Sequence, residues 1–318
     1  MTSPFSLNTR AAVLADQLAA DAALLRITEA HTGGARVLDC GVSVPGGLDA
    51  GLGLARVCLA GLADVRLAPA DDALQGRPLV QVATDHPVLA CMAAQYAGWQ
   101  IAVGKYFAMG SGPMRAAYGK EELFDHLPGR EKSAVAVGVL ESRKLPTAEV
   151  VAFLSEKLSL PASAITLLAA PASSLAGTLQ VVARSLETAL HKLHELKFDL
   201  TQVISGFGAA PLPPPAADEI KSIGRTNDAI LYGGRVTIWV RCEDDLIATL
   251  GPKVPSAASP DHGAPFAEIF ERYGRDFYKV DPMLFSPARV TFNNLQTGRS
   301  QTFGQVEPDV LRRSFEWA

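Results

Sequence analysis

Arg184 and Glu187 stand three positions apart in a stretch that opens with small residues, Ser173-Ser174-Leu175-Ala176-Gly177. On a helix, side chains at i and i+3 share a face, so this pair can act on one reacting centre. A carboxylate can take a proton from water, a neighbouring guanidinium lowers its pKa, and burial raises it. The small residues upstream let a ligand approach the backbone closely. The same spacing also suits a solvent-face ion pair worth roughly 0.3 kcal/mol, so residue type alone leaves both readings open.

A second arginine and carboxylate at i,i+3 follow in Gly224-Arg225-Thr226-Asn227-Asp228. Asp228 therefore competes with Glu187 for the proton-transfer role, although Asn and Asp also cap helices and shape turns. Arg225, Asn227 and Asp228 are read as supporting groups that hold a substrate by hydrogen bonds. A third candidate is Gly110-Ser111-Gly112, expected as a turn before a helix with backbone N–H groups free to cradle an anion or a ring edge. It lacks the Gly-Lys-Ser/Thr sequence of a P-loop. His191 and His194 have a metal-compatible spacing but no third ligand nearby in sequence, and no metal is expected. Val44-Pro45-Gly46-Gly47 is expected to shape a turn, and the acidic run Glu243-Asp244-Asp245 to start a helix.

In combination, the Ala170–Glu187 stretch, the Gly224–Gly234 segment and the glycine-rich Lys105–Ala117 segment resemble the methenyltetrahydromethanopterin cyclohydrolases. The resemblance runs from Gly46-Gly47 to Gly234 and thins in the last third of the chain. It implies that Arg184 and Glu187 are the catalytic pair, with Glu187 activating water and Arg184 orienting it. It implies that Gly110, Ser111, Gly112, Ser173, Ser174, Arg225, Asn227 and Asp228 contact the substrate, a tetrahydromethanopterin derivative. It further implies a cytoplasmic homo-oligomer, a trimer, with no tightly bound cofactor. The reaction would serve formaldehyde oxidation in a bacterium or carbon dioxide reduction in a methanogen. Two rivals stay open: a phosphoryl-transfer enzyme using the Gly-rich loops, and a pterin-binding protein without catalysis.

These residues must be positioned by a well-packed chain. The apolar fraction is 48% and the charged fraction 19%, which describes a globular protein and not a disordered one. Net charge is −4 with 29 basic and 33 acidic residues and no long basic run, so nucleic acid is not an expected partner. Cys40, Cys58, Cys91 and Cys242 are scattered, without CxxC or Cys/His spacing, and read as free thiols. The N-terminus shows no signal-peptide pattern. The uncharged run from Leu158 to Ala183 is broken by Pro161 and Pro171, which argues against a membrane span.

Helical and strand patterns alternate, which points to an α/β fold: two α/β domains with a substrate cleft between them. Helices are expected from Leu7 to about Leu25, over Leu48–Leu62, after Pro87, over Leu175–Leu196 and near Asp218–Leu231. Strands are expected at 36–39, 79–83, 100–103, 134–139, 164–168 and 235–240, with a terminal hairpin at 289–292 and 300–303. The proline-rich stretch 206–215 reads as a connector, which divides the chain into residues 1–205, carrying the Gly-rich loop and the catalytic helix, and residues 206–318. A second loop is expected over Gly251–Pro265.

Overall fold

The computed structural model describes residues 5–69, 77–276 and 279–316. Its strands, in chain order, are β1 (Thr28–Thr32), β2 (Ala35–Asp39), β3 (Asp64–Ala68), β4 (Leu79–Thr84), β5 (Trp99–Val103), β6 (Tyr106–Ser111), β7 (Ala136–Glu141), β8 (Ile165–Ala170), β9 (Val203–Pro211), β10 (Arg235–Val240), β11 (Arg289–Asn294) and β12 (Ser300–Gly304). They form two mixed six-stranded sheets, so the α/β class holds. The chain divides into two compact units. One contains residues 1–63 and 88–180, the other residues 64–87 and 181–318.

In the first unit the strand order is β1-β2-β8-β7-β6-β5. The three central strands β2, β8 and β7 are parallel, and the outer pairs are antiparallel. Central parallel strands are covered on both faces, which is why β7 reads Ala-Val-Gly-Val-Leu without polar alternation. Val137 and Val139 join the core with Leu18 and Leu54 from the helices Leu7–Ala20 and Leu48–Cys58. Ala136 and Leu140 point the other way, into a core with Val150, Val151 and Leu154 of the helix Ala148–Leu158. Thr147 caps that helix by accepting the Val150 N–H.

In the second unit the order is β12-β11-β10-β9-β4-β3, with only the β10–β11 pair parallel. The helices Ser185–Glu195 and Glu219–Leu231 pack on β9, and the helices Phe266–Arg272 and Pro308–Ser314 pack on Glu219–Leu231.

Several expected elements differ. The helix expected over Leu175–Leu196 is two helices, Leu175–Val182 and Ser185–Glu195, separated by a turn at Ala183-Arg184. There the Arg184 N–H bonds to Val181 O at 3.0 Å, an i−3 partner that tightens the chain and redirects it. The leucine stripe is therefore not continuous. The first helix ends at Ala20, and a one-turn helix, Ala22–Leu25, follows. The connector expected at 206–215 begins as the second half of β9, whose residues through Pro211 pair with β4. Gly110 and Ser111, expected in a turn, are the last residues of β6. The edge strands β1 and β3 carry no strong sequence signal, since β1 is almost wholly exposed and shows no apolar face. The helix after Pro87 is wound as a π-helix over Val88–Gln95. Within Gly251–Pro265 the expected loop contains two short 3-10 turns. The terminal hairpin and the helix start at Asp244 are as expected. Among the described residues, no helix is long and apolar enough to cross a membrane.

Candidate functional site

The turn at Ala183-Arg184 sets the position of the first candidate pair. Arg184 occupies the N-cap of the helix Ser185–Glu195, and its carbonyl accepts the Thr188 N–H at 2.9 Å. Glu187 lies in the first helical turn, where the positive end of the helix dipole favours a carboxylate. Arg184 is 6% exposed and Glu187 4%. That burial does not fit a solvent-face ion pair, because taking a charge out of water demands a compensating partner.

The helix start is seated by two glycines of β9. A Cβ on Gly206 would stand 2.7 Å from both Leu186 methyls, and one on Gly208 would stand 2.9 Å from the Leu186 nitrogen. Only hydrogen at these positions lets the first turn press directly on the strand.

Arg225, Asn227 and Asp228 sit on the helix Glu219–Leu231, capped by Asp218 through the Lys221 N–H at 2.8 Å. Arg225 donates to the carbonyls of Ser314 (3.1 Å) and Pro214 (3.2 Å) and to the Glu316 carboxylate (2.9 Å). Asn227 donates to Ile223 O at 2.8 Å. Asp228 has no exposed surface, and its Oδ1 accepts the Phe266 N–H at 2.8 Å, holding the start of the helix Phe266–Arg272. Burial pushes the Asp228 carboxyl up to about 7 against the opposing hydrogen bond from Phe266. The groups these three residues hold belong to the protein's own second unit.

The remaining candidates lie in the first unit. Gly110, Ser111 and Gly112 are buried. A Cβ on Gly110 would meet Ile101, Met114 and the Trp99 carbonyl at 2.8–3.0 Å. Ser111 Oγ donates to Val139 O at 3.2 Å and lies 3.3 Å from Cys58 Sγ. Gly112 turns the chain at φ +88° and donates to Ala94 O at 2.9 Å. Ser174 Oγ donates to Pro171 O (2.9 Å) and accepts the Gly177 N–H (3.0 Å), fixing the start of the helix Leu175–Val182. Ser173 beside it is half-buried.

Ser173 and Ser174 follow the carboxyl end of β8, next to the carboxyl end of β2, a location where open α/β sheets place ligands. Here the structure brings in Asp39, which residue patterns did not single out. Its carboxylate accepts the N–H groups of Gly41 (3.0 Å), Val42 (2.7 Å) and Ser43 (2.8 Å). An Asp at a strand end followed shortly by Gly is a turn signature that was legible. Lys192 was also missed: it is fully buried on the same helix as Glu187 and donates to Met283 O. Its position among Leu186, Leu190 and Leu193 was the available signal. His191 lies 3.7 Å from the Glu195 carboxylate. Among the described residues no group of three or more potential ligands is arranged to hold a metal ion.

An α/β chain with a buried arginine and glutamate at the start of an interior helix has the make-up of an enzyme acting on a small organic molecule. The relatives make that class specific. A family model described as cyclohydrolase (MCH) matches residues 6–315. The chain is 56% identical over 288 residues to the methenyltetrahydromethanopterin cyclohydrolase of Rhodopirellula baltica, covering 89% of this chain and 86% of that one. It is 47% identical over 315 residues to the enzyme of that name from Methylobacterium nodulans, covering 98% and 97%. With the namesake from Methanococcoides burtonii it shares 43% over 284 residues, 89% of each chain. The protein belongs to the cyclohydrolase (MCH) family.

Proposed function

We propose that this protein hydrolyses N5,N10-methenyltetrahydromethanopterin reversibly to the N5-formyl form, with Glu187 as the proton-transfer group and Arg184 as its orienting partner. The observation that carries the reading is the burial of both side chains at one helix start, within the span matched by the family. The names of the relatives supply the substrate.

The methenyl carbon bridges two nitrogens and carries delocalised positive charge, so it is already electrophilic. Water adds its oxygen to that carbon while Glu187 accepts a proton. The bond from carbon to N10 then breaks, N10 takes a proton delivered by Glu187, and the formyl group stays on N5. One water proton ends on N10 and the other leaves to solvent, which balances the loss of the substrate's positive charge. No oxidation state changes, so the reaction consumes no redox cofactor. A negative carboxylate near the cation also stabilises it electrostatically. Arg184, at the N-cap of the same helix, is assigned to orienting Glu187.

Within the first unit Gly110, Ser111, Gly112, Ser173 and Ser174, and within the second unit Arg225, Asn227 and Asp228, are assigned to substrate binding, each through the backbone it holds. The reading extends to a homotrimer working in the cytoplasm, which light scattering and fractionation would test. A phosphoryl-transfer role gains no support from Gly110 and Ser111, which end β6 as buried strand residues instead of forming a loop.

The test follows loss of the methenyl chromophore with the methanopterin substrate, with methenyltetrahydrofolate in parallel. Glu187→Gln is expected to lower kcat by about 10²-fold or more with substrate binding retained. Wild-type turnover in that variant would remove Glu187 from the mechanism. Binding of the substrate without turnover by the wild-type chain would leave the non-catalytic reading.

A further inference from the structure

Lys192 is a buried cation that the proposed chemistry does not use. It lies on the helix Ser185–Glu195 with no exposed surface, five residues beyond Glu187, or about 7.5 Å along the axis. An ammonium at such a site costs several kcal/mol unless it is paired and hydrogen-bonded, so an apolar residue would serve plain packing better. Its Nζ donates to the carbonyl of Met283, in the 3-10 turn Pro282–Leu284.

That carbonyl is itself held in place. The Asp281 carboxylate accepts the Met283 N–H at 3.0 Å and the Ser259 hydroxyl at 2.5 Å. The Asp281 N–H bonds to Asp261 (3.2 Å), whose other oxygen accepts the Tyr273 hydroxyl at 3.0 Å. Lys192 thus joins the helix to a cross-braced segment. The opposite end of the helix is seated by Gly206 and Gly208 of β9. Two anchors near opposite ends of the helix, on separate segments of the chain, fix its position.

We propose that Lys192 is a positioning residue for the hydrolysis: its bond to the Met283 carbonyl holds the helix so that Glu187 meets the attacking water. This rests on the assignment of Glu187 as the proton-transfer group. The charged surroundings fit a single ammonium. Asp281 is the carboxylate that faces it, with Asp261 behind. The strand β9 contains no ionisable residue. On β10, Arg235 alternates with the buried Val236 and Ile238, and the adjoining turn Leu200–Gln202 has no ionisable residue of its own. On its own helix, His191 pairs with Glu195, and Glu187 lies more than a turn away. Burial pushes the Lys192 ammonium down to about 8, with Asp281 opposing. The tether is therefore fully charged below that pH and weakens above it.

The test compares wild type, Lys192→Met, Lys192→Arg, Glu187→Gln and the Met/Gln double variant, reading kcat, KM, the pH profile of kcat and the melting midpoint. Lys192→Met is expected to lower kcat about tenfold with KM within about twofold, since small misplacements of a reacting group are costly. In the Glu187→Gln background the same change should cost no more than about twofold, because its target is gone. Lys192→Arg should hold kcat at pH 7 within about threefold and move the alkaline limb upward, since a guanidinium keeps its proton. A Lys192→Met enzyme with wild-type kcat and only a lowered melting midpoint would overturn the proposal. An equal loss in both backgrounds would overturn it as well. If Lys192→Met fails to fold, the Lys192→Arg profile decides, and an unmoved alkaline limb rejects it. Wild-type turnover in Glu187→Gln alone would strike at the base assignment, in an arm that does not contain the lysine change.

Discussion

Gly208 and Ser185 touch with no room for a methyl group between them: a Cβ on the glycine would stand 2.5 Å from the serine Oγ. This contact seats the helix that carries Glu187 on β9. Gly208→Ala is expected to destabilise by about 1–3 kcal/mol and to lower kcat, because the neighbouring Leu186 backbone nitrogen cannot move aside alone. The Ser185 hydroxyl is fully buried and makes no hydrogen bond among the described residues. Ser185→Ala should therefore be near neutral in stability, and adding it to Gly208→Ala should recover part of the loss. Chemical denaturation of the four proteins of this cycle checks the coupling.

Asp228 gives a pH signature of its own. Its carboxyl is raised in the folded state to about 7, against an ordinary 3.8. A raised carboxylate pKa means that the folded protein prefers the protonated form. The stability linked to it is fully present below about pH 4 and is lost as pH rises through 7, by up to about 1.4 kcal/mol per unit. Asp228→Asn keeps an acceptor for the Phe266 N–H and cannot ionise, so it should flatten this decline and gain on wild type at pH 8. Its kcat should stay within a few-fold of wild type. A 10²-fold loss with normal stability would transfer the proton-transfer role from Glu187 to Asp228.

Asp39 organises the loop after β2 by accepting three backbone N–H groups. Removing the carboxylate leaves these donors without it, so Asp39→Ala should cost about 2–4 kcal/mol. Asp39→Asn should cost less, since its carbonyl can still serve Gly41 and Val42. Urea denaturation midpoints give the comparison.

The four cysteines are free and buried. Burial, with Asp39 adding, pushes the Cys40 thiol up to about 12. A thiolate is the reactive species, so Cys40 should resist alkylation at pH 8 in the folded protein. Mass spectrometry after iodoacetamide should find it unmodified until denaturant is added, when all four thiols react.

Much of the fold was legible because local patterns carry it. The continuous apolar run of β7 announced a strand, and the acidic run at Glu243-Asp244-Asp245 announced a helix start. The edge strands β1 and β3 were silent because short edge strands need no apolar alternation to pair. The proline-rich segment misled because Pro211 tolerates the end of a strand, where its missing N–H removes no needed bond.

The sequence by itself determined the α/β class and the residue types available for chemistry, since these follow from composition and periodicity, and its motifs together carried the resemblance to the family. It did not determine that the long helix would break at Arg184, where the helix that follows seats Ser185 and Leu186 on Gly206 and Gly208 of β9. Nor did it show that Gly110 and Ser111 would end a strand, or that Lys192 would be buried against Met283. Tertiary structure decided these points, because burial and hydrogen-bond partners come from segments far apart along the chain. Lys192 and Met283, separated by 91 positions, could meet only once the fold had formed.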